Sequence, residues 1–335
     1  MASIRPTFAR RTALALAAGI GLLAALPAAA QDKMQLQLNW FQLADHSPIY
    51  LAMKKGYYKE ENIDLTVLRG SGSADSAKKV DLGQAEVGIS DAPTVLTAIG
   101  KGANLKMVAV VYDKAGNNAF FRKGANIKSP KDLVGKKIAV PPADSHRVLW
   151  PAFAAMHGID PNSVTLVNVK PEGKQAIVAA NEVDAAFDLY TSHAIWEKVL
   201  GKGDVGHLLW ADHGLPIYGH TYFVNNDLLA KNPKLVERFL RATHKGWRDA
   251  KADPKASIDA MVEQVPGLDG PTLLATMPQI LDLCVTERSA KHGLGWIEPE
   301  LMQKTMDITF ASAKPDKPLN VNDVFTNQFN SKIKP

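Results

Sequence analysis

Residues 38–50 read LNWFQLADHSPIY and set Asp45, His46 and Ser47 side by side. These are the residue types of a nucleophile–base–orienter line, whose members converge in space from separate segments. Three neighbours on one loop do not meet that geometry, and Ser47 is better placed as the cap of a helix starting ahead of Pro48. A second candidate is GISDAP at residues 88–93, close to a G-x-S-x-G elbow with Ser90 as nucleophile. Ala92 stands where the final glycine is needed, and no HGGG-type oxyanion segment accompanies it. Asp188 and His220 follow Ser90 in the order of a triad, which keeps an exported serine hydrolase as the alternative reading. Otherwise Ser90 and Asp91 cap the helix near Pro93, with one of them facing a cleft.

Three further stretches suit binding rather than turnover. GSGSADS at residues 70–76 has Asp75 where a dinucleotide fingerprint needs its third glycine. What remains is a glycine turn with the hydroxyls of Ser71 and Ser73 at a helix start, fitted to an acceptor-rich group. In VPPADSHRVLWPAF, residues 140–153, Ser145 is the expected helix cap and Arg147 falls in the first turn. The helix dipole disfavours a cation there, so Arg147 is expected to pair with a carboxylate, from the ligand or across a cleft. AAFDLYTSHA, residues 185–194, ends a strand with Asp188, an acceptor for ligand N–H groups or a partner for Arg147, and Tyr190, a stacking surface. The nine histidines form no H-E-x-x-H pair, so no metal site is expected.

The elements that must hold these loops alternate between two periodicities. Strand-like runs at 34–38, 63–68, 86–89, 105–111, 137–140, 164–169 and 183–187 are separated by helical patterns, the first closed by Gly56. Repeated units of this length predict doubly wound parallel sheets covered by helices. Beyond Tyr222 the pattern is mostly helical, and Val236, Phe239, Leu240, Thr243 and Trp247 share one stripe, which makes Trp247 a core residue. Ligands gather at the carboxyl ends of strands in such sheets, which is where the loops above fall.

The amino terminus reads as an address. Arg5, Arg10 and Arg11 precede an apolar run over residues 12–26, followed by Pro27 and three alanines, so cleavage is expected after Ala30. The run is shorter than a membrane span. Arg10 and Arg11 suit either an ordinary or a twin-arginine route. Removing residues 1–30 leaves 36 basic against 34 acidic residues, a formal charge of +2, with no basic stripe for nucleic acid. Cys284 is the only cysteine, which excludes an intramolecular disulfide and leaves stability to a sizeable core.

Taken in order, LNWFQLADHSPIYLAMKKGYYKEENIDLTV, GQAEVGISDAPTVLTAIGKG, IKSPKDLVGKKIAVPPADSHRVLWPAF and EVDAAFDLY resemble the periplasmic solute-binding proteins of ABC importers. The group most resembled binds thiamine pyrimidine precursors, with relatives for taurine, other sulfonates and nitrate. The resemblance implies a type II-like, two-lobed α/β fold, each lobe a sheet flanked by helices, joined by crossover strands near residues 112–119 and 219–224. Lobe I would comprise residues 31–112 plus 220–335, and lobe II residues 113–219. Carried over by position, Asn39, Trp40, Asp45, His46, Ser71, Ser90 and Asp91 face Ser145, Arg147, Asp188 and Tyr190 across the cleft. The implied protein is a periplasmic monomer without cofactor that delivers its ligand to an inner-membrane permease with a cytoplasmic ATPase. A eukaryotic relative of this fold is an enzyme with lysine-bound pyridoxal phosphate and a cysteine-rich motif, which this chain lacks. Pyrimidine-like ligands rank first, aromatic acids second, and sulfonates or inorganic anions third.

Overall fold

The computed structural model describes residues 1, 2 and 30–335; the leader expected over residues 1–30 lies almost wholly outside them. Among the described residues no helix is long and apolar enough to cross a membrane. The chain builds two five-stranded sheets. The first holds β1 (Asp32–Gln37), β2 (Ile63–Leu68), β3 (Val87–Asp91), β4 (Leu105–Val110) and β10 (His220–Asn225), in the order β2-β1-β3-β10-β4. The second holds β5 (Asn117–Arg122), β6 (Lys137–Ala139), β7 (Thr165–Val167), β8 (Ala185–Leu189) and β9 (Val205–Leu209), in the order β7-β6-β8-β5-β9.

The sheets are not wholly parallel, as their sequence pattern suggested. β10 runs antiparallel to β3 and β4, and β5 antiparallel to β8 and β9. These are the strands by which the chain enters each sheet from the other. Neither is a continuous apolar run, NNAFFR in β5 and HTYFVN in β10 both opening on polar residues, so the pattern that marked the parallel strands passed over them. Alternation decides the two faces. Phe120 packs with Trp196 on one side of the second sheet while Ala119 and Phe121 join the cluster on the other. In β10, Tyr222 and Val224 face one cluster and Phe223 the opposite one.

Helices cover these faces. They are α1 (Ser47–Lys54), α2 (Tyr57–Glu60), α3 (Ser73–Asp81), α4 (Ala92–Gly100), α5 (Ser145–Met156), α6 (Lys174–Ala179) and α7 (His193–Leu200). After β10 follow α8 (Asn226–Lys231), α9 (Pro233–Ala252), α10 (Pro254–Gln264), α11 (Gly270–Cys284), α12 (Glu287–His292), α13 (Pro299–Ser312) and α14 (Val321–Val324). Gly56 ends the first helical stretch with φ of +77°, the left-handed turn expected of it. Ser47 is not the cap: it is the first residue of α1, and its Oγ shares a hydrogen bond of 2.7 Å with Ser257 Oγ. Trp247 is 5% exposed, in the core, and its Nε1 donates to Tyr222 Oη.

One residue of α9 ties the core to pH. His244 is 2% exposed, its Nδ1 bonds Ser331 Oγ at 2.7 Å, and its Nε2 has no partner among the described residues. Burial pushes its pKa down to about 4. The unfolded chain therefore binds the extra proton first, and stability is lost as pH falls from about 6.5 through 4. Urea midpoints measured between pH 7 and 4 should fall by an amount of which His244→Leu removes up to about 3 kcal/mol. An unchanged slope in the variant would contradict this.

The two passages between sheets run side by side. Tyr112 N and Val111 N both donate to His220 O, and Gly219 N donates to Tyr112 O at 2.9 Å. Asp113 is anchored beside them by Arg288 and Thr286.

Candidate ligand cleft

A cavity opens where the carboxyl ends of β1, β6 and β8 face each other across the passages. From the first sheet it is lined by Asn39, Trp40, Leu43 and Asp45, with Ser73 at the start of α3 and His220 at the start of β10. From the second come Asp144, Ser145 and His146 before and within α5, Lys174 at the start of α6, and Asp188, Thr191 and Ser192 after β8. The cavity they line has a volume of only about 30 Å³, below that of ordinary small-molecule sites, so the two sides must part to admit a ligand.

Of the residues expected at the site, Asn39, Trp40, Asp45, Ser145 and Asp188 line this cavity. His46 stands directly behind, donating from Nε2 to Asn39 Oδ1 at 3.1 Å. Ser71 is exposed on the loop, and Ser73, two residues on, takes the lining position. Ser90 is fully buried off the cavity, where its Oγ donates to the carbonyl of Ser73 and to no histidine. Asp91 sits beside it and accepts from Thr94 Oγ1 at 2.6 Å; burial pushes its pKa up to about 6. Nothing here assembles Ser90, Asp188 and His220 into a triad.

Arg147 turns away from the cavity. Its guanidinium donates to the carbonyls of Val140 and Pro141 and to Asn168. A cation in that first turn did need acceptors, and the carbonyls just after β6 supply them. Tyr190 packs against His207, with ring centroids 5.2 Å apart, and is absent from the lining. Asp144, not Ser145, caps α5, accepting from His146 N at 3.0 Å. That leaves the Ser145 hydroxyl, like those of Ser73 and Ser192, without a hydrogen-bond partner among the described residues and free to meet a ligand.

Lys174 was not anticipated. It is 2% exposed, and its ammonium bonds Asp188 Oδ1 at 2.8 Å and the Phe187 carbonyl at 3.1 Å, with Asp144 Oδ2 at 3.5 Å. It also lies 4.7 Å from the centre of the Trp40 ring, an attraction between the two sides of the cavity. Burial alone would lower its pKa, but Asp188 and Asp144 together raise it above the ordinary lysine value. The Asp144 carboxyl, which burial would raise, is held below the usual range by Lys174 and His146. For Asp45, burial is likewise outweighed by His46, His220 and the Tyr112 hydroxyl, and the carboxyl stays ionised.

Hydrogen bonds fix the imidazole tautomers. His46 Nδ1 accepts from the Leu43 N–H, so its proton is on Nε2 and points at Asn39 Oδ1. The Asn39 amide nitrogen must then donate to His220 Nε2 at 3.1 Å, which leaves the His220 proton on Nδ1, facing Asp45. His146 Nε2 accepts from Asn118 N–H while Nδ1 donates to Asp144 at 2.6 Å. Burial lowers the His46 pKa further, consistent with its neutral form.

Residues 43–257 match the profile of the family described as NMT1/THI5 like. A formylaminopyrimidine-binding protein of Halalkalibacterium halodurans is 21% identical over 89% of this chain and 90% of its own. A 4-amino-5-hydroxymethyl-2-methylpyrimidine phosphate synthase of Legionella pneumophila is 25% identical over 72% and 76%. Among solved structures, the alkanesulfonate-binding protein SsuA of Xanthomonas axonopodis, bound to MOPS, superposes with a TM-score of 0.67. It shares 17% identity and covers 89% of this chain and 99% of that one, which shows a common two-sheet fold.

Proposed function

The chain belongs to the NMT1/THI5-like family, and from that premise we propose that it captures a small planar heteroaromatic ligand, resembling a thiamine pyrimidine precursor, for an ABC import system. In this reading residues 31–112 with 220–335 form one lobe and residues 113–219 the other. The protein works as a monomer in the periplasm after loss of its leader, and hands its ligand to a membrane permease. The observation that carries the reading is that the cavity is lined from both sheets, so one ligand touches both sides at once. A ligand with such contacts favours the closed arrangement over an open one, which is how a two-lobed receptor signals occupancy.

Capture without chemistry fits the side chains. Ser90 Oγ has a carbonyl as its partner instead of a base, and Lys174 is held protonated between carboxylates, which denies it the lone pair of a nucleophile. The half-buried indole of Trp40 offers a flat apolar wall, and the hydroxyls of Ser73, Ser145 and Ser192 offer donors to ring nitrogens. The alternative of an aromatic carboxylate or sulfonate loses its counter-ion with Arg147 turned away.

Native mass spectrometry of protein purified from its own host should retain a small heteroaromatic compound. Calorimetry with 4-amino-5-hydroxymethyl-2-methylpyrimidine and related rings should then give binding that Trp40→Ala weakens by about 2 kcal/mol, roughly 30-fold. Retention of an alkanesulfonate, or turnover of esters abolished by Ser90→Ala, would sink the reading.

A further inference from the structure

The asparagine just after β1 is held in one sense. Leu43 N–H is a backbone donor and can only give, so His46 Nδ1 accepts it at 3.2 Å and the ring carries its proton on Nε2. That proton meets Asn39 Oδ1 at 3.1 Å, and the Asn39 amide nitrogen gives one hydrogen to His220 Nε2, also at 3.1 Å. At the far end His220 Nδ1–H faces Asp45 Oδ2, 3.7 Å away. The Tyr112 ring stacks on this imidazole with centroids 4.4 Å apart and holds its plane. A backbone donor at one end and a carboxyl at the other demand the same direction along the chain of bonds, and neither accepts a reversed amide.

These bonds use only part of the Asn39 side chain. One N–H and one lone pair of Oδ1 remain, on a residue that is 5% exposed and lines the cavity. The hydroxyls of Ser73, Ser145 and Ser192 beside it can also give or accept, but a hydroxyl rotates to suit its partner. Asn39 cannot turn. Its partners all sit on the loop after β1 and at the start of β10, on the first sheet's side, so the arrangement outlasts a parting of the two sides. The edge it presents is thus set before a ligand arrives.

We propose that His46 and His220 are positioning residues that fix the sense of the Asn39 amide, and that the amide selects the ligand by the order of donor and acceptor on its edge. The edge selected is a ring nitrogen acceptor beside an exocyclic N–H donor, as in a 4-aminopyrimidine. A ring of the same shape with the two exchanged sets donor against donor and acceptor against acceptor. Asp45, on the same loop, favours the amino edge, since its carboxyl accepts from N–H groups and repels a carbonyl oxygen. This selection rests on the cavity being a capture site, and specifies what that site reads.

The probes are 4-amino-5-hydroxymethyl-2-methylpyrimidine and its 4-oxo analogue, compared by calorimetry at pH 8, where both rings are neutral. Wild type should bind the amino ring about 100-fold tighter than the oxo ring. Asn39→Leu should bring that ratio close to one, and His46→Leu should lower it about tenfold by releasing one end of the chain of bonds. His46→Gln, whose amide nitrogen again donates to Asn39 Oδ1, should recover most of the ratio. A merely structural role for His46 would weaken both rings alike, leave the ratio at its wild-type value and overturn the assignment. A second readout needs neither ligand nor variant to bind: long-range proton–nitrogen NMR spectra of the wild type should show His46 protonated at Nε2 and His220 at Nδ1. His220 protonated at Nε2 overturns the fixed amide and leaves capture standing. So does a wild type that binds the two rings equally or prefers the oxo ring. A wild type that binds neither overturns the capture reading and the selection with it.

Discussion

Lys174→Met is expected to destabilise the folded protein by about 3–5 kcal/mol, the cost of breaking a buried charge cluster from one side. The lysine is 2% exposed and holds Asp188 at 2.8 Å and Asp144 at 3.5 Å. Methionine fills much of the same space, so packing changes little. What changes is electrostatic: two carboxylates are left close together, out of water, with one ammonium gone. Both are then driven to bind protons, so the loss should shrink on acidification. Adding Asp188→Asn to Lys174→Met removes one of the stranded charges and should restore part of the loss. Urea denaturation of the three variants at pH 7 and pH 5 checks this. A loss under about 1 kcal/mol, or no recovery in the double variant, would show that the cluster is better solvated than its burial implies.

Gly72→Val is expected to abolish tight ligand binding while leaving both sheets folded. Gly72 precedes α3 with φ of +147°, and a Cβ there would lie 2.5 Å from the Ala143 carbonyl oxygen and 2.6 Å from the Ala143 Cβ. Ala143 belongs to the loop leading into α5, on the other side of the cavity, and its carbonyl also accepts from Ala74 N at 3.3 Å. The added methyls cannot fit unless the two sides separate. The strain of placing valine at this φ is local, of order 1–3 kcal/mol, within what a folded domain tolerates. The loss of closure removes every contact from the far side, so affinity should fall about 100-fold or more. Calorimetry, with small-angle scattering to follow compaction on ligand addition, reads both effects. Wild-type affinity in the variant would mean that the approach of Gly72 to Ala143 is not part of the binding state.

The sequence periodicity made the alternation of strands and helices legible, with boundaries close to those observed, because burial stamps a period of two or 3.6 on the residues. β5, β9 and β10 were not among the runs read as strands: NNAFFR, VGHLL and HTYFVN interrupt their apolar residues with polar ones or glycine, and their place and direction come from pairing with distant strands. At the site, Trp40, Asp45 and Asn39 could be read because a polar, aromatic loop after a strand stands out. Offsets of one or two residues were harder. Ser145 and Asp144 both suit a helix start, and only the fold decides that Asp144 caps α5 and Ser145 faces the cavity. Ser71 and Ser73 differ in the same way. Lys174 left no local sign at all, since lysine at a helix start is ordinarily solvated, and its burial depends on Asp144 and Asp188, 30 and 14 positions away. The reasoning that gave Arg147 a partner identified a real need, and carbonyls met it instead of a carboxylate.

The seat of β10 between β3 and β4 sets an order of events for a chain delivered amino terminus first. All strands of the second sheet are at hand once residue 209 has emerged, whereas the first sheet has a gap at its centre until residue 225. The later-starting sheet is thus the first to complete. β3 and β4 wait with unpaired edges while a hundred residues pass, and it is over that interval that the nascent chain most needs shelter from its neighbours.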